Sequence, residues 1–243
     1  MSQPDIDYLN TSHHVGLVEE KLFTYDQPFK MERGTLDDFT LAYETYGELN
    51  SSSNNAVLIC HALTGDHHVA GIYSENDKKP GWWNHVVGPG KAIDTNKFFV
   101  ICSNCLGACK GSTGPSSRKI NGEIYGKNFP DLSIMDMVRA QRLLLEYLGI
   151  TKLFAVVGGS MGGMQALQWI VEYPNFLEKA IIIAATAQHT VQTIAFNEAG
   201  RRSITDDPNW KEGEYDEGEG PRKGLAVARM MAHITYLSDI GME

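Results

Sequence analysis

Val156-Val157-Gly158-Gly159-Ser160-Met161-Gly162-Gly163 is the stretch that decides the fold. It continues Leu153-Phe154-Ala155 without a polar break, and a short, continuously apolar run is what a strand covered on both faces of a parallel sheet requires. After Ser160 the period changes: Met164, Leu167, Gln168 and Val171 mark a helix, and Pro174 ends it. Gly158-x-Ser160-x-Gly162 therefore occupies a strand-to-helix turn, the context of a nucleophile elbow. Small residues at Gly158 and Gly162 let the backbone fold tightly and expose the Ser160 hydroxyl, and the helix N-terminus behind it favours developing negative charge. Ser160 is accordingly read as a nucleophile. A glycine-rich turn can also be structural or cradle a phosphate, but this one has neither a Walker lysine nor G-x-G-x-x-G spacing.

Working outward, further apolar runs predict strands at Phe39–Thr45, Ala56–Cys60, Phe98–Cys102, Leu153–Val157 and Lys179–Ala184. Phe39–Thr45 alternates imperfectly and reads as an early, antiparallel edge strand, whereas the later runs suit buried parallel strands. Ser133 and Asp136 form a capping-box-like helix start, with Ile134, Met137, Val138, Leu144, Leu145 and Leu148 at helical spacing up to Gly149. Strands alternating with helices give an α/β class, a mostly parallel sheet with flanking helices. After Ala187 the pattern is helical only, at Thr190–Ile204 and Gly224–Leu237, around an acidic stretch from Asp206 to Glu219. We therefore expect an α/β core over residues 1–187 and the start of a helical lid or cap over 188–243. No internal repeat is seen.

The 243 residues are 42% hydrophobic and 21% charged, an ordinary globular composition. A net charge of −9 argues against non-specific binding to nucleic acid or anionic membrane, but does not exclude an anionic substrate. Met1–Asn10 has acidic residues and no apolar stretch, so it reads as neither signal nor transit peptide, and Ala180–Ala187 is too short to span a bilayer. The expected location is the cytoplasm. Cys102, Cys105 and Cys109 have C-x2-C-x3-C spacing, yet Cys60 and Cys102 end apolar runs and no second pair completes a four-ligand set. Free thiols and no metal are expected.

An acyl group carried on Ser160 needs donors for the oxyanion. In an elbow of this kind they are two main-chain N–H groups, one after the nucleophile and one from the loop after an earlier strand. Met161 fits the first position. Leu63, in His61-Ala62-Leu63-Thr64-Gly65-Asp66 after Ala56–Cys60, fits the second. His61 satisfying a loop and Leu63 merely packing are compatible with this, because the working group is an amide.

Several segments carry a resemblance: His61-Ala62-Leu63-Thr64-Gly65-Asp66, Gly81-Trp82-Trp83, Gly88-Pro89-Gly90-Lys91 and Gly111-Ser112-Thr113-Gly114-Pro115. Gly158 to Leu167 and Gly224-Leu225-Ala226-Val227-Ala228-Arg229-Met230 continue it. Together they resemble homoserine O-acyltransferases of the α/β-hydrolase type, most closely the acetyl-transferring members, from about Gly16 to the last residue. The resemblance implies an α/β-hydrolase fold and a ping-pong reaction of methionine biosynthesis: Ser160 takes acetyl from acetyl-CoA, and the hydroxyl of L-homoserine accepts it. Acetyl-CoA would be a co-substrate, with no bound cofactor. By matching position, Arg229 would pair with the amino acid's carboxylate and Tyr236 would line the same pocket. A homodimer through the cap helices is implied too. Competing readings are a homoserine O-succinyltransferase or serine O-acyltransferase, a serine esterase or other hydrolase, and a non-catalytic fragment.

The chain departs from the family in one respect. A serine needs a base, and the fold's order is Ser, then Asp or Glu, then His. The family's acid and histidine fall beyond residue 243, and only His189 and His233 follow Ser160, both expected in cap helices. Asp206 or Asp207 with His233 would keep the order, but neither acid follows a strand. The expectation is a C-terminally truncated chain, without the last sheet strands and inactive as it stands.

Overall fold

The computed structural model describes residues 13–216 and 218–242, so Met1–Asn10 and Glu217 of the acidic stretch lie outside the described residues. In chain order the strands β1 (Lys21–Tyr25), β2 (Phe29–Met31), β3 (Gly34–Leu36), β4 (Phe39–Tyr46), β5 (Ala56–Cys60), β6 (Val87–Gly88), β7 (Ile93–Asp94) and β8 (Phe99–Ser103) come first. Helix α1 (Ile134–Tyr147), strand β9 (Leu153–Gly159), helix α2 (Met161–Glu172) and strand β10 (Leu177–Ile183) follow, and then α3 (Val191–Thr205), α4 (Arg222–Tyr236) and α5 (Asp239–Met242). They fall into two compact units. One holds the chain up to Ser116 together with Pro130–Thr186, the other Ser117–Phe129 together with the chain from Ala187. Sequence reading had left Ser117–Phe129 with the first.

The first unit is built on a sheet ordered β1-β4-β8-β5-β9-β10. The pairs β8–β5, β5–β9 and β9–β10 are parallel, and β1–β4 and β4–β8 are antiparallel. Every residue of β5 is buried, as its unbroken apolar sequence demands. Full burial of side chains such as Leu58 and Ile59 stabilises by about 1.5–3 kcal/mol each. β4 is antiparallel as expected, but it is not an edge strand. β1 covers it, pairing Lys21 with Tyr43 through Tyr25 with Phe39. β1 went unread because, of Lys21-Leu22-Phe23-Thr24-Tyr25, only Phe23 is buried.

From β5 the chain goes to β8 on one side and then crosses to β9 on the other. The carboxyl end of β5 is therefore a topological switch point, where open α/β sheets bind ligands. Ser133 Oγ accepts the Asp136 N–H (3.2 Å) and Asp136 Oδ2 accepts the Ser133 N–H (3.0 Å), so the expected capping box starts α1. Helix α2 packs on β9, β10, β5 and α1. Its buried stripe is Gly162, Gly163, Gln165, Ala166 and Trp169. The apolar positions read from sequence miss that stripe, and Val171 is exposed. On the far side, β10 leaves Ile181, Ile182 and Ile183 exposed.

In the second unit α3 and α4 pack on each other so closely that a β-carbon on Gly224 would lie 2.0 Å from the Ser203 main-chain oxygen. Asp207 ties the pair, its carboxylate accepting the Asn209 N–H (3.0 Å) and the Gly224 N–H (2.8 Å). These amides hold the Asp207 carboxyl below the usual carboxylate range. Lys127 pairs with Glu212 (3.2 Å) and Glu214 (3.1 Å). Val191, Ile194 and Phe196 of α3 and Leu225, Met230 and Ile234 of α4 are exposed. No helix among the described residues is long and apolar enough to cross a membrane.

Candidate active site

Ser160 is exposed and stands at φ 56°, ψ −123°, between the end of β9 and the first residue of α2. Non-glycine residues avoid this region at a cost of about 1–3 kcal/mol, so the surroundings must over-determine it. They do so with main chain. The Ser160 N–H donates to the Ile183 carbonyl (3.0 Å) and the Ser160 carbonyl accepts the Met164 N–H (3.1 Å). A β-carbon on Gly158 would lie 2.1 Å from the Gly162 carbonyl oxygen, and one on Gly162 would lie 2.0 Å from that of Cys60. Close approach is thus what both glycines supply. The positive φ falls on the serine between them.

Met161 opens α2, so its N–H lies outside the helix's own hydrogen-bond ladder, as an oxyanion donor must. Leu63 lies just past β5, in a turn closed by the Gly65 N–H on the Ala62 carbonyl (2.9 Å), and is 75% exposed. Beneath this turn His61 is buried. Its Nδ1 lies 2.7 Å from the Ala62 carbonyl and its Nε2 accepts the Cys105 N–H (2.9 Å), a pattern only the neutral Nδ1–H tautomer satisfies. Burial accordingly lowers its pKa.

A chain of buried amides backs the elbow, and sequence reasoning missed it. Trp169 Nε1–H donates to Gln141 Oε1 (2.8 Å), and Gln141 Nε2 donates to Gln165 Oε1 (2.8 Å). Gln165 Nε2 in turn reaches the His61 carbonyl (3.5 Å). The signal was present in the helical spacing of Gly162, Gln165, Ala166 and Trp169. Around this chain the thiols of Cys60, Cys102 and Cys105 are buried, which raises all three pKa values, that of Cys105 to about 12. Cys109 is exposed, and the described residues contain no group of three or more His, Cys, Asp or Glu placed to hold a metal ion.

The remaining candidates belong to the second unit. Arg229 and Tyr236 are both exposed on α4. His233, expected in a cap helix, is there, with Nδ1 2.8 Å from the Arg229 carbonyl. His189 is not helical, since it precedes Thr190, whose side chain caps α3. Asp207 already holds two main-chain amides of its own unit, which makes it a structural carboxylate.

A homoserine O-acetyltransferase of Methanobrevibacter ruminantium is 61% identical over 234 residues, covering 95% of this chain and 47% of the relative. The chain thus spans about half the length of such curated relatives. Among solved structures, esterase E22 superposes with a TM-score of 0.86 at 38% identity, over 92% of this chain and 63% of that one. The homoserine O-acetyltransferase from Bacillus anthracis superposes with a TM-score of 0.85 at 37% identity, over 90% and 60%. The sequence pattern of the alpha/beta hydrolase fold family matches residues 55–241, from the start of the central strand past the serine turn to the last helix. On that match, and on the sheet and elbow that accompany it, the chain belongs to the alpha/beta hydrolase fold family.

Proposed function

We propose that the protein of which these residues are part transfers an acetyl group from acetyl-CoA to the hydroxyl of L-homoserine through an acyl-Ser160 intermediate. The observation that carries the reading is the exposed Ser160, held at φ 56° over the carboxyl ends of the central strands. The relatives named homoserine O-acetyltransferase supply donor and acceptor. Ser160 Oγ attacks the thioester carbonyl, the C–S bond breaks, and the CoA thiol leaves with a proton. The homoserine hydroxyl then attacks the acyl-serine, Oγ recovers its proton, and O-acetyl-L-homoserine departs. In both tetrahedral intermediates the Met161 and Leu63 N–H groups stabilise the oxyanion.

The resemblance implies a base, a histidine backed by an acid, from a part of the protein after residue 243. It also gives Arg229 to the homoserine carboxylate and Tyr236 to the same pocket. The exposed apolar residues of α3 and α4 support pairing of two copies through these helices. The free thiols suit a cytoplasmic setting.

A second reading, hydrolysis of an acyl ester, is favoured by the likeness to esterase E22. One experiment separates the two. The full-length protein is incubated with acetyl-CoA, the acetylated peptide is located by mass spectrometry, and the adduct is chased with homoserine or with buffer alone. Acetyl on Ser160 that moves to homoserine supports transfer, whereas discharge to acetate at a rate indifferent to homoserine establishes the hydrolase. Exclusive acylation by succinyl-CoA in competition would sink the choice of donor.

A further inference from the structure

Glu44 of β4 has no exposed surface. A carboxylate so far from water persists only where donors meet its oxygens. The Tyr46 hydroxyl donates to Oε2, the Tyr73 hydroxyl donates to Oε1 at 2.5 Å, and His68 Nδ1 lies 3.2 Å from both oxygens. Tyr46 relays the contact, because its own oxygen accepts the N–H groups of Val69 (3.0 Å) and Ala70 (3.2 Å). The Tyr73 ring stacks on His68 with centroids 4.2 Å apart. His67 closes the cluster, with Nε2 2.8 Å from Glu20 and 3.9 Å from Glu44.

All of these partners except Tyr46 and Glu20 share one loop. His67, His68, Val69, Ala70 and Tyr73 all belong to the segment that leaves β5 at His61 and carries Leu63. Between Leu63 and the tied residues lie Thr64, Gly65 and Asp66, and Asp66 Oδ1 accepts the His68 N–H at 3.1 Å. One buried carboxylate thus fixes the far half of the loop, and the near half is fixed through His61 and the buried amides. We propose that Glu44 is a positioning residue for acyl transfer, clamping the loop so that the Leu63 N–H is preorganised toward the carbonyl oxygen of the acyl group on Ser160. This rests on the acyl-Ser160 reading above. An oxyanion donor is effective only when it needs no reorganisation at the moment of reaction, which is what such a clamp provides. Neither Glu44 nor the tyrosines need touch substrate.

The test uses the full-length protein with Glu44→Gln, Tyr46→Phe and Tyr73→Phe. Glu44→Gln keeps the shape but turns an N–H₂ toward groups that are themselves donors. Tyr46→Phe leaves the Val69 and Ala70 amides without their acceptor. Tyr73→Phe, at the half-exposed end, threatens folding least. Three quantities are read: the single-turnover rate of Ser160 acetylation, the affinity for a non-reactive thioether analogue of acetyl-CoA, and amide exchange of peptides 61–73 and 153–159. We expect acetylation to slow by about 10- to 100-fold in Glu44→Gln and Tyr46→Phe. Tyr73→Phe should follow in the same direction with a smaller loss. Analogue affinity should stay within about twofold, and exchange should quicken in 61–73 while 153–159 keeps its protection. A wild-type acetylation rate in Glu44→Gln overturns the proposal and leaves acyl-Ser160 standing. Joint loss of rate, analogue affinity and protection of 153–159 in all three variants overturns it too, since Glu44 would then merely hold the sheet together. If wild-type protein carries its acetyl group elsewhere than on Ser160, both readings fall.

Discussion

A side chain on Gly162 would meet the main-chain oxygen of Cys60 at 2.0 Å, so the first turn of α2 rests directly on the end of β5. Neither partner is a flexible side chain that can swing away. Gly162→Ala must therefore push helix from sheet, with a cost at or above the top of the usual overpacking range of about 1–3 kcal/mol. Gly159→Ala is the control, because its β-carbon would find only the Ile183 oxygen at 3.9 Å. Urea titration of the full-length protein should show a large loss of midpoint for Gly162→Ala and little change for Gly159→Ala. Equal losses would mean that the approach to Cys60 is not what Gly162 is needed for.

The strain at Ser160 predicts a conflict between stability and chemistry. At φ 56° glycine is at ease, while alanine keeps the penalty that serine has. Ser160→Gly and Ser160→Ala both remove the nucleophile and both should abolish the acyl-enzyme. Ser160→Gly should nevertheless be the more stable of the two by about 1 kcal/mol, net of its greater unfolded-state entropy. Calorimetry of the pair decides it. A less stable glycine variant would show that the elbow is relaxed in solution.

His61 gives the protein an acid-side weakness. Its folded pKa lies below the ordinary 6.5 because burial disfavours the imidazolium. Protonation would also put a donor on Nε2, against the Cys105 N–H it now accepts. His14 is lowered as well, by burial and then by the Lys91 charge. With a lowered folded value, the unfolded chain binds the proton first. Stability is then complete above about pH 6.5 and falls as the pH drops toward the folded values, by at most about 1.4 kcal/mol per pH unit for each group. Urea midpoints measured from pH 7.5 down to 5 should decline for the wild type. His61→Gln, which cannot titrate, should show a shallower decline, and identical slopes would assign the effect to other groups.

What the sequence made legible was local. The Ser133–Asp136 box needs only one turn of helix, and Ala56–Cys60 announces a buried strand by itself. The misreadings have distant causes. The imperfect alternation of Phe39-Thr40-Leu41-Ala42-Tyr43-Glu44-Thr45 reads as an edge strand, but β1 pairs along it, and its buried Glu44 is met by His68 and Tyr73, 24 and 29 residues away. In α2 the positions read from sequence, Met164, Leu167, Gln168 and Val171, pass over the buried Gln165 and include Val171, which is 74% exposed. Arg229 and Tyr236 were reached through resemblance alone, because nothing in their spacing sets them apart from other helical residues.

The Gln141–Gln165 pair allows a test of the buried amide chain as a unit. In Gln141→Met the Trp169 N–H loses its acceptor and Gln165 Oε1 loses a donor. In Gln165→Met the Gln141 amide and the His61 carbonyl lose theirs. Each single change strands buried polar groups, at about 1–3 kcal/mol apiece. Replacing both removes the mutual debt between the two amides and leaves the outer partners unmet: Trp169 Nε1, the His61 carbonyl and, more weakly, the Cys60 and Cys105 thiols. The double variant should therefore lose less stability than the sum of the singles, with a coupling of about 1 kcal/mol or more in a double-mutant cycle. The active-site consequence follows from the same wiring. Because His61 is the first residue of the loop that carries Leu63, Gln165→Met should slow Ser160 acetylation more than Gln141→Met does, even where their stability losses are equal. Acetylation rates that track stability alone would show that the chain supports the core without tuning the site.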